Sequence, residues 1–218
     1  PGTYSLASTS EDEEIARDFI LFGQPDVTVM VADATRLERN MNMVLQVLQI
    51  TDRAVLCVNL IDEATRNHIE IDLRALSRRL GIPVVGASAR IGQGIGELLE
   101  AVRAVATGEY VCRPPRGFDL PADTAVEVDR LTEAVRQAHP SLSNAEWIAT
   151  RLLERDEGVR RAYATPELTA LADEIHLAIG HNFHDRWMEQ IYAQAGEICA
   201  AVVRRQGGEG LLPLDVKL

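Results

Sequence analysis

The chain has 218 residues, 46% hydrophobic and 25% charged, a globular balance that excludes a disordered polymer and allows one large domain or two small ones. Its 22 Lys and Arg against 33 Asp and Glu leave a net charge of −11, the wrong sign for a broad nucleic-acid face. A mononucleotide is compatible with that sign, because backbone N–H groups and a metal ion can hold its phosphates.

No apolar run approaches the ~18 residues of a membrane span. Cys57, Cys112 and Cys199 make neither a disulfide framework nor a metal spacing, so a reducing, cytosolic compartment is expected. The sequence opens at Pro1-Gly2 and closes at Leu214-Asp215-Val216-Lys217-Leu218, and is expected to be a piece of something longer.

In chain order, Ser10 and Glu13 form a Ser-x-x-Glu capping box that opens a helix through about Phe22. Val27 to Ala32 is a short apolar run ending at Asp33, suited to a strand buried on both faces of a parallel sheet. Leu37, Met41, Val44, Leu45 and Leu48 then recur at helical spacing, one apolar stripe. Ala54 to Val58 is a second buried strand that breaks at Asn59. Leu73, Leu76 and Leu80 mark a helix stopped by Gly81 as a C-cap. Pro83 to Ala87 is a third strand, and Ile95 to Val105 a closing helix. This alternation predicts right-handed crossover units and hence a parallel α/β sheet flanked by helices.

The pattern changes at about Glu109. Pro114, Pro115, Gly117 and Pro121 have the composition of a linker. Beyond it every segment reads as helix. Val128, Leu131 and Val135 form one stripe, and Ser143 with Glu146 makes a second capping box ahead of Trp147, Ile148 and Leu152. Thr165 and Pro166 start a third helix. Trp187, Ile191, Ile198 and Val202 define a long fourth one, ended by Gly207-Gly208-Glu209-Gly210. The expected organisation is an α/β domain over 1–108, a linker over 109–121, a small all-α domain over 122–206 and a second linker over 207–218. The all-α part is expected to fold by itself, with Trp147 and Trp187 at least partly buried.

In an open parallel sheet, ligands sit at the carboxyl ends of the strands. Those ends carry Asp33-Ala34-Thr35, Asn59-Leu60-Ile61-Asp62 and Ser88-Ala89-Arg90. A carboxylate in the plane of a guanine base, as Asp62 would be, accepts both N1–H and the 2-amino group. Asn59 suits the opposite edge of the base and can tie neighbouring loops together, and the N–H of Ala89 can donate to O6. Adenine lacks the donor pair, and would leave Asp62 buried and unpaired. The plainer alternative is that Asn59 and Asp62 cap the following loop and Ser88 caps a turn.

Pro1-Gly2-Thr3-Tyr4-Ser5-Leu6, followed by Ser8-Thr9-Ser10-Glu11-Asp12-Glu13, resembles the end of an Asp-x-Pro-Gly motif and its switch segment, whose glycine N–H senses a γ-phosphate in GTPases. Asp33-Ala34-Thr35, Leu37-Glu38-Arg39-Asn40 and Leu45-Gln46 extend the likeness. Together these look like the cytosolic GTPase domain of the bacterial ferrous iron transport protein B (FeoB) family, over Pro1 to about Ala106. The segment to about Arg205 is similar to that family's helical regulatory domain.

The resemblance implies a partial P-loop GTPase-type sheet, with guanine contacts from Asn59, Leu60, Ile61, Asp62, Ser88, Ala89 and Arg90 and γ-phosphate sensing by Pro1, Gly2 and Thr3. It implies GTP or GDP and Mg²⁺ as cofactors, with K⁺ as a further candidate. The partner it implies is the protein's own membrane domain, beyond 207–218, at the cytoplasmic face of the bacterial inner membrane; a homo-oligomer is also open and a nucleic-acid partner is not expected. Two rivals stand beside it, a soluble ribosome-assembly-type GTPase and a non-catalytic helical interaction module on a degenerate nucleotide fold.

Two departures qualify the likeness. Leu60 stands where many GTPases carry Lys, as the FeoB resemblance itself leads one to expect, and no Gly-x-x-x-x-Gly-Lys-Ser/Thr pattern occurs in the chain. Gly92-Gln93-Gly94-Ile95-Gly96 is read as a loop entering a helix. Thr3 occupies the place of the usual water-orienting Gln, so no catalytic residue is assigned. His176, His181 and His184 lack metal-site spacing and are expected at the surface, with no metal assigned. The 218-residue chain by itself is therefore expected not to hydrolyse GTP. Phosphate release compared with a chain extended upstream through a phosphate loop checks this; equal Mg²⁺-dependent turnover would contradict it.

Overall fold

The computed structural model describes residues 11–23, 25–114, 122–142, 144–179 and 183–205. Helix α1 (Glu11–Phe22) leads to strand β1 (Thr28–Asp33), a 3-10 turn (Ala34–Arg36) and helix α2 (Leu37–Ile50). Next come β2 (Ala54–Asn59), α3 (Ile61–Arg66), β3 (Ile69–Ile71), α4 (Leu73–Leu80), β4 (Val84–Gly86), a second 3-10 turn (Ala89–Ile91) and α5 (Ile95–Ala106). The remainder is α6 (Ala122–Ala138), α7 (Ala145–Leu153), α8 (Glu157–Tyr163), α9 (Pro166–Ile179), α10 (Phe183–Val202) and a last strand, β5 (Val203–Arg205). β1, β2 and β4 form a parallel sheet in that order, while β3 and β5 pair antiparallel as a separate ribbon. The fold class is the expected one, a parallel α/β sheet flanked by helices and followed by a helical region.

β2 lies at the centre of the sheet, and Ala54, Val55, Leu56, Cys57 and Val58 are all buried. β1 differs from the sequence expectation. Met30 and Ala32 are buried, but Val29 and Val31 are 41% and 58% exposed, so one face of this edge strand is open. The apolar run had suggested two covered faces; α5 packs mainly on β2 and β4. A trough of about 750 Å³ runs along β1, from Ile15 and Phe19 of α1 to Asp33, Asn59 and Leu60 at the strand ends. Gly81 closes α4 as expected, at φ 65° with its N–H donating to the Ser77 carbonyl.

The helical region does not stand apart from the sheet. Its buried residues, including Val128, Leu131, Ile148, Trp187 and Ile191, join Leu37, Met41, Val44 and Leu48 of α2 in one continuous core. α2 is therefore more than a helix with one apolar stripe. From Val44 to Ile50 every residue is buried, Gln46 and Gln49 included. Trp147 and Trp187 are both buried, as expected. Asn144, and not Ser143, is the N-cap of α7, and its Nδ2 donates to the Ile50 carbonyl at 3.2 Å; Ser143 lies outside the described residues, as do Ser10, His181 and the glycines of 207–210. α9 starts as expected, with Thr165 Oγ1 accepting from the Leu168 N–H at 3.2 Å. α10 ends at Val202, and the chain runs straight into β5, so the last element of the second half belongs to a ribbon with the first.

α1 is tied into the helical half by charge. Arg17, 4% exposed, meets Asp156 Oδ2 at 2.7 Å, while Asp156 Oδ1 caps α8 by accepting from the Val159 N–H. Removing one partner of a buried pair strands the other, at a cost of about 3 kcal/mol. Arg17→Ala is thus expected to lower the unfolding midpoint read by Trp147 and Trp187, although both lie in the other half of the chain. A Trp transition that stays put while far-UV circular dichroism shifts would show that the halves unfold independently.

Candidate functional site

The site is built where β2 and β4 end. Asn59 is the last residue of β2, in register with Asp33 of β1. Leu60 follows at φ 63°, in the left-handed region that a residue with a Cβ occupies only at a cost of about 1 kcal/mol or more. The turn is held in place: the Leu60 carbonyl accepts from the N–H groups of Glu63 and Ala64, each at 3.0 Å, and the Ile61 N–H donates to Ala87 at 3.1 Å. This sharp reversal starts α3 at once, and so sets Asp62 in its first turn, at the carboxyl edge of the sheet.

The second loop approaches from β4. The Ala87 N–H donates to the Val58 carbonyl at 2.8 Å, extending the ladder by one residue, and Ser88 pairs with Gln93 across a short bridge. Ser88 is 1% exposed. Its hydroxyl donates to Asp62 Oδ1 and accepts from the Asp62 N–H at 3.2 Å. Asn59 Oδ1 accepts from the Ala89 N–H at 3.1 Å, which ties the two loops together as the sequence suggested. It also means that the N–H expected to donate to a base O6 is engaged with Asn59 in this structure.

Arg90, on the second loop, places Nη2 3.5 Å from Asp62 Oδ2, and Arg66, one turn along α3, places its Nη2 at 3.1 Å. The Ser88 hydrogen bond, followed by these guanidiniums and against the opposing pull of desolvation, holds the Asp62 carboxyl below the usual Asp range.

Asn59, Leu60, Asp62, Ser88, Ala89 and Arg90 thus converge. Ile61 belongs to the framework instead, with its side chain against the core beneath Gly86. Pro1, Gly2 and Thr3 lie outside the described residues. Asp33 caps the 3-10 turn, accepting from the N–H and the hydroxyl of Thr35, each at 2.7 Å, and its own N–H donates to Asn40 Oδ1 at 2.7 Å. Arg66 was not foreseen, although an Asp and Arg four residues apart on a helix are a recognisable pair.

Among the described residues no group of three His, Cys, Asp or Glu is placed to hold a metal ion. His176 Nδ1 contacts the Leu153 carbonyl and His184 Nδ1 contacts Glu154. Cys57 and Cys199 are buried and their thiols pushed up, Cys199 to about 11. Cys112 is half-buried, with Sγ donating to the Ala54 carbonyl.

A parallel sheet carrying Asn-x-x-Asp and Ser-Ala-Arg loops at adjacent strand ends defines an α/β domain of the G-protein class. Residues 1–102 match the family model described as ferrous iron transport protein B, and residues 122–204 match the FeoB cytosolic helical domain. The chain belongs to the FeoB family, and comprises its cytosolic G-domain and helical-domain region.

The Fe(2+) transporter FeoB of Salmonella typhimurium is 37% identical over 168 residues, and that of Escherichia coli 36% over the same length. In each case the match covers 75% of this chain and 21% of the relative, so the chain spans about a fifth of those proteins' length. Among solved structures, a GDP-bound mutant of S. thermophilus NFeoB aligns at TM-score 0.82 and 24% identity, over 94% of this chain and 79% of that one. The cytosolic domain of T. maritima FeoB in a GMPPNP form aligns at 0.74 and 26%, with the same coverage. Neither the ribosome-assembly reading nor the non-catalytic module is favoured by these matches.

Gly94 fixes the second loop to the sheet. It sits at φ 79°, and a Cβ there would lie 2.2 Å from the Gly86 carbonyl oxygen. Gly94→Ala is expected to destabilise the fold by about 2–3 kcal/mol, through the clash and the positive φ together. A thermal melt checks it; an unchanged midpoint would mean that the loop can move off β4.

Proposed function

We propose that this chain reads guanine nucleotides for a ferrous iron transporter, and regulates that transporter from the cytoplasmic face of the bacterial inner membrane. The observation that carries the reading is the Asp62 carboxylate, ionised, anchored by a buried serine hydroxyl and set at the mouth of two joined strand-end loops. Such a carboxylate accepts from N1–H and the 2-amino group of guanine together. Adenine offers no such pair, and would leave the acceptor positions facing the base unfilled.

Asn59 and Ala89 contribute by holding the two loops at fixed separation, and the Ala89 N–H is the nearest candidate for the base O6 once Asn59 yields it. Leu60 forms the turn and brings no long cationic stem over the base. Support for guanine also comes from the nucleotides named for the solved relatives, GDP and GMPPNP. No helix among the described residues is long and apolar enough to cross a membrane, so passage of iron is assigned to the remainder of the longer protein.

The reading gives no described residue a catalytic role. Phosphate contacts and the Mg²⁺ that neutralises them during hydrolysis are assigned to other residues, with K⁺ as a candidate further ion. A 122–206 helical region couples nucleotide state to the membrane part in this reading, across the shared core and not as an independently folded unit.

Asp62→Asn in the full-length protein is expected to weaken GDP binding at least tenfold and to shift preference towards xanthosine diphosphate, whose 2-oxo group accepts from an amide. Calorimetry with both nucleotides checks it, and unchanged affinity and preference would remove Asp62 from the site. The pH dependence has a defined sign. The folded-state pKa of Asp62 lies below its ordinary value, so the charged form persists above about pH 4 and is lost only as the pH falls through the lowered pKa. GDP affinity is therefore expected to show no Asp62-dependent loss between pH 8 and pH 5. A drop in that window that Asp62→Asn abolishes would contradict the assignment.

A further inference from the structure

The Asp62 carboxylate is gripped from two directions. On the sheet side, the Ser88 hydroxyl donates to Oδ1. On the helix side, Arg66 straddles the residue: Nη2 donates to Oδ2 at 3.1 Å and Nε donates to the Asp62 backbone carbonyl at 3.3 Å. One planar guanidinium thus joins the side chain of Asp62 to its own main chain. That arrangement restricts rotation of the carboxylate in a way that a single point charge does not.

Arg90 is different. Its Nη2 stands 3.5 Å from the same oxygen without a hydrogen bond, on a side chain 75% exposed, so it supplies charge without direction.

Ser88 donates to Oδ1 and Arg66 to Oδ2, and the Glu63 N–H and the Arg90 guanidinium also favour the charged carboxylate. The acceptor positions that N1–H and the 2-amino group of guanine require are those on the exposed edge of the carboxylate. The side chain of Asp62 keeps 24% of its surface exposed, the part that neither Ser88 nor Arg66 covers. An exposed Asp–Arg pair four residues apart adds little to helix stability. The backbone contact and the shared carboxylate give this one a different use.

We propose that Arg66 is a positioning residue for guanine recognition, fixing the plane of the Asp62 carboxylate so that Oδ2 meets the 2-amino group. The proposal rests on the reading of Asp62 as the base acceptor. Ser88 sets Oδ1 and Arg66 sets Oδ2; with Arg66 removed, Oδ1 stays anchored and Oδ2 is free to swing out of the base plane. The loss then falls on the contact to the 2-amino group more than on that to N1–H.

The test compares GDP with inosine diphosphate, whose base keeps N1–H and lacks the 2-amino group, by competition against a fluorescent GDP analogue on the full-length protein. Arg66→Ala is expected to weaken GDP about fivefold and inosine diphosphate much less, reducing the preference between them. Arg66→Lys, which keeps the charge and loses the fork, is expected to recover only part of that preference. Asp62→Ala is the reference and is expected to abolish the preference.

If Asp62→Ala abolishes it and Arg66→Ala leaves it intact, the positioning role is overturned while the base reading stands. If Arg66→Ala weakens both nucleotides equally, Arg66 is structural only and the proposal fails. If neither variant alters the preference, the reading of Asp62 falls and the role of Arg66 with it. Full rescue by Arg66→Lys would show that charge alone suffices, which also contradicts the fork.

Discussion

Helix α2 has to be buried on two sides at once, and much of the molecule follows from that requirement. One side covers β1 and β2; the other carries α10 of the helical half. A surface helix needs a single apolar stripe, but here the seven residues from Val44 to Ile50 are all buried. Both ends of α2 are also tied by asparagine side chains. Asn40 accepts from the Asp33 N–H at the carboxyl end of β1, and Asn144 donates to the Ile50 carbonyl, one of the last-turn carbonyls that a helix cannot satisfy internally. The first tie belongs to the sheet and the second to the helical half, so α2 fixes the one against the other.

The ribbon of β3 and β5 repeats this joining at a second place. β3 follows α3 directly, α3 carries Asp62, and β5 is the continuation of α10. The Asp72 N–H donates to the Val202 carbonyl at 2.9 Å, which extends the join to the start of α4. Residues 61–72 therefore hold the candidate base acceptor at one end and the exit of the last helix at the other. The loop geometry around Asp62 is over-determined accordingly. A left-handed leucine is tolerated because three backbone hydrogen bonds and a buried serine surround it.

The sheet was legible because β1, β2 and β4 are short apolar runs ending at polar residues, and because leucines at helical spacing separate them. The strand-end positions of Asn59, Asp62, Ser88 and Ala89 followed from that layout alone. What escaped has physical causes. α3 and β3 are six and three residues long, too short for any period to show. β5 adjoins α10 with no Gly or Pro between them, so nothing in the residues marks the change from helix to strand. Gln46 and Gln49 are buried beneath the second layer, and their polarity gives no hint of it. The positive φ of Leu60 had no glycine or asparagine to announce it. The open face of β1 was concealed by valines that would serve equally in a covered strand.

Electrostatics and packing thus meet at one carboxylate: a serine hydroxyl and two guanidiniums favour the charged form of Asp62, and the αL turn at Leu60 fixes where it sits. The most direct test of this account is a crystal structure of the complete cytosolic region with GDP bound. Both Asp62 oxygens are expected within hydrogen-bond distance of N1 and the 2-amino nitrogen, with Ser88 still on Oδ1. A guanine ring held elsewhere, with Asp62 still closed on Arg66 and Arg90 and turned away from the base, would contradict it.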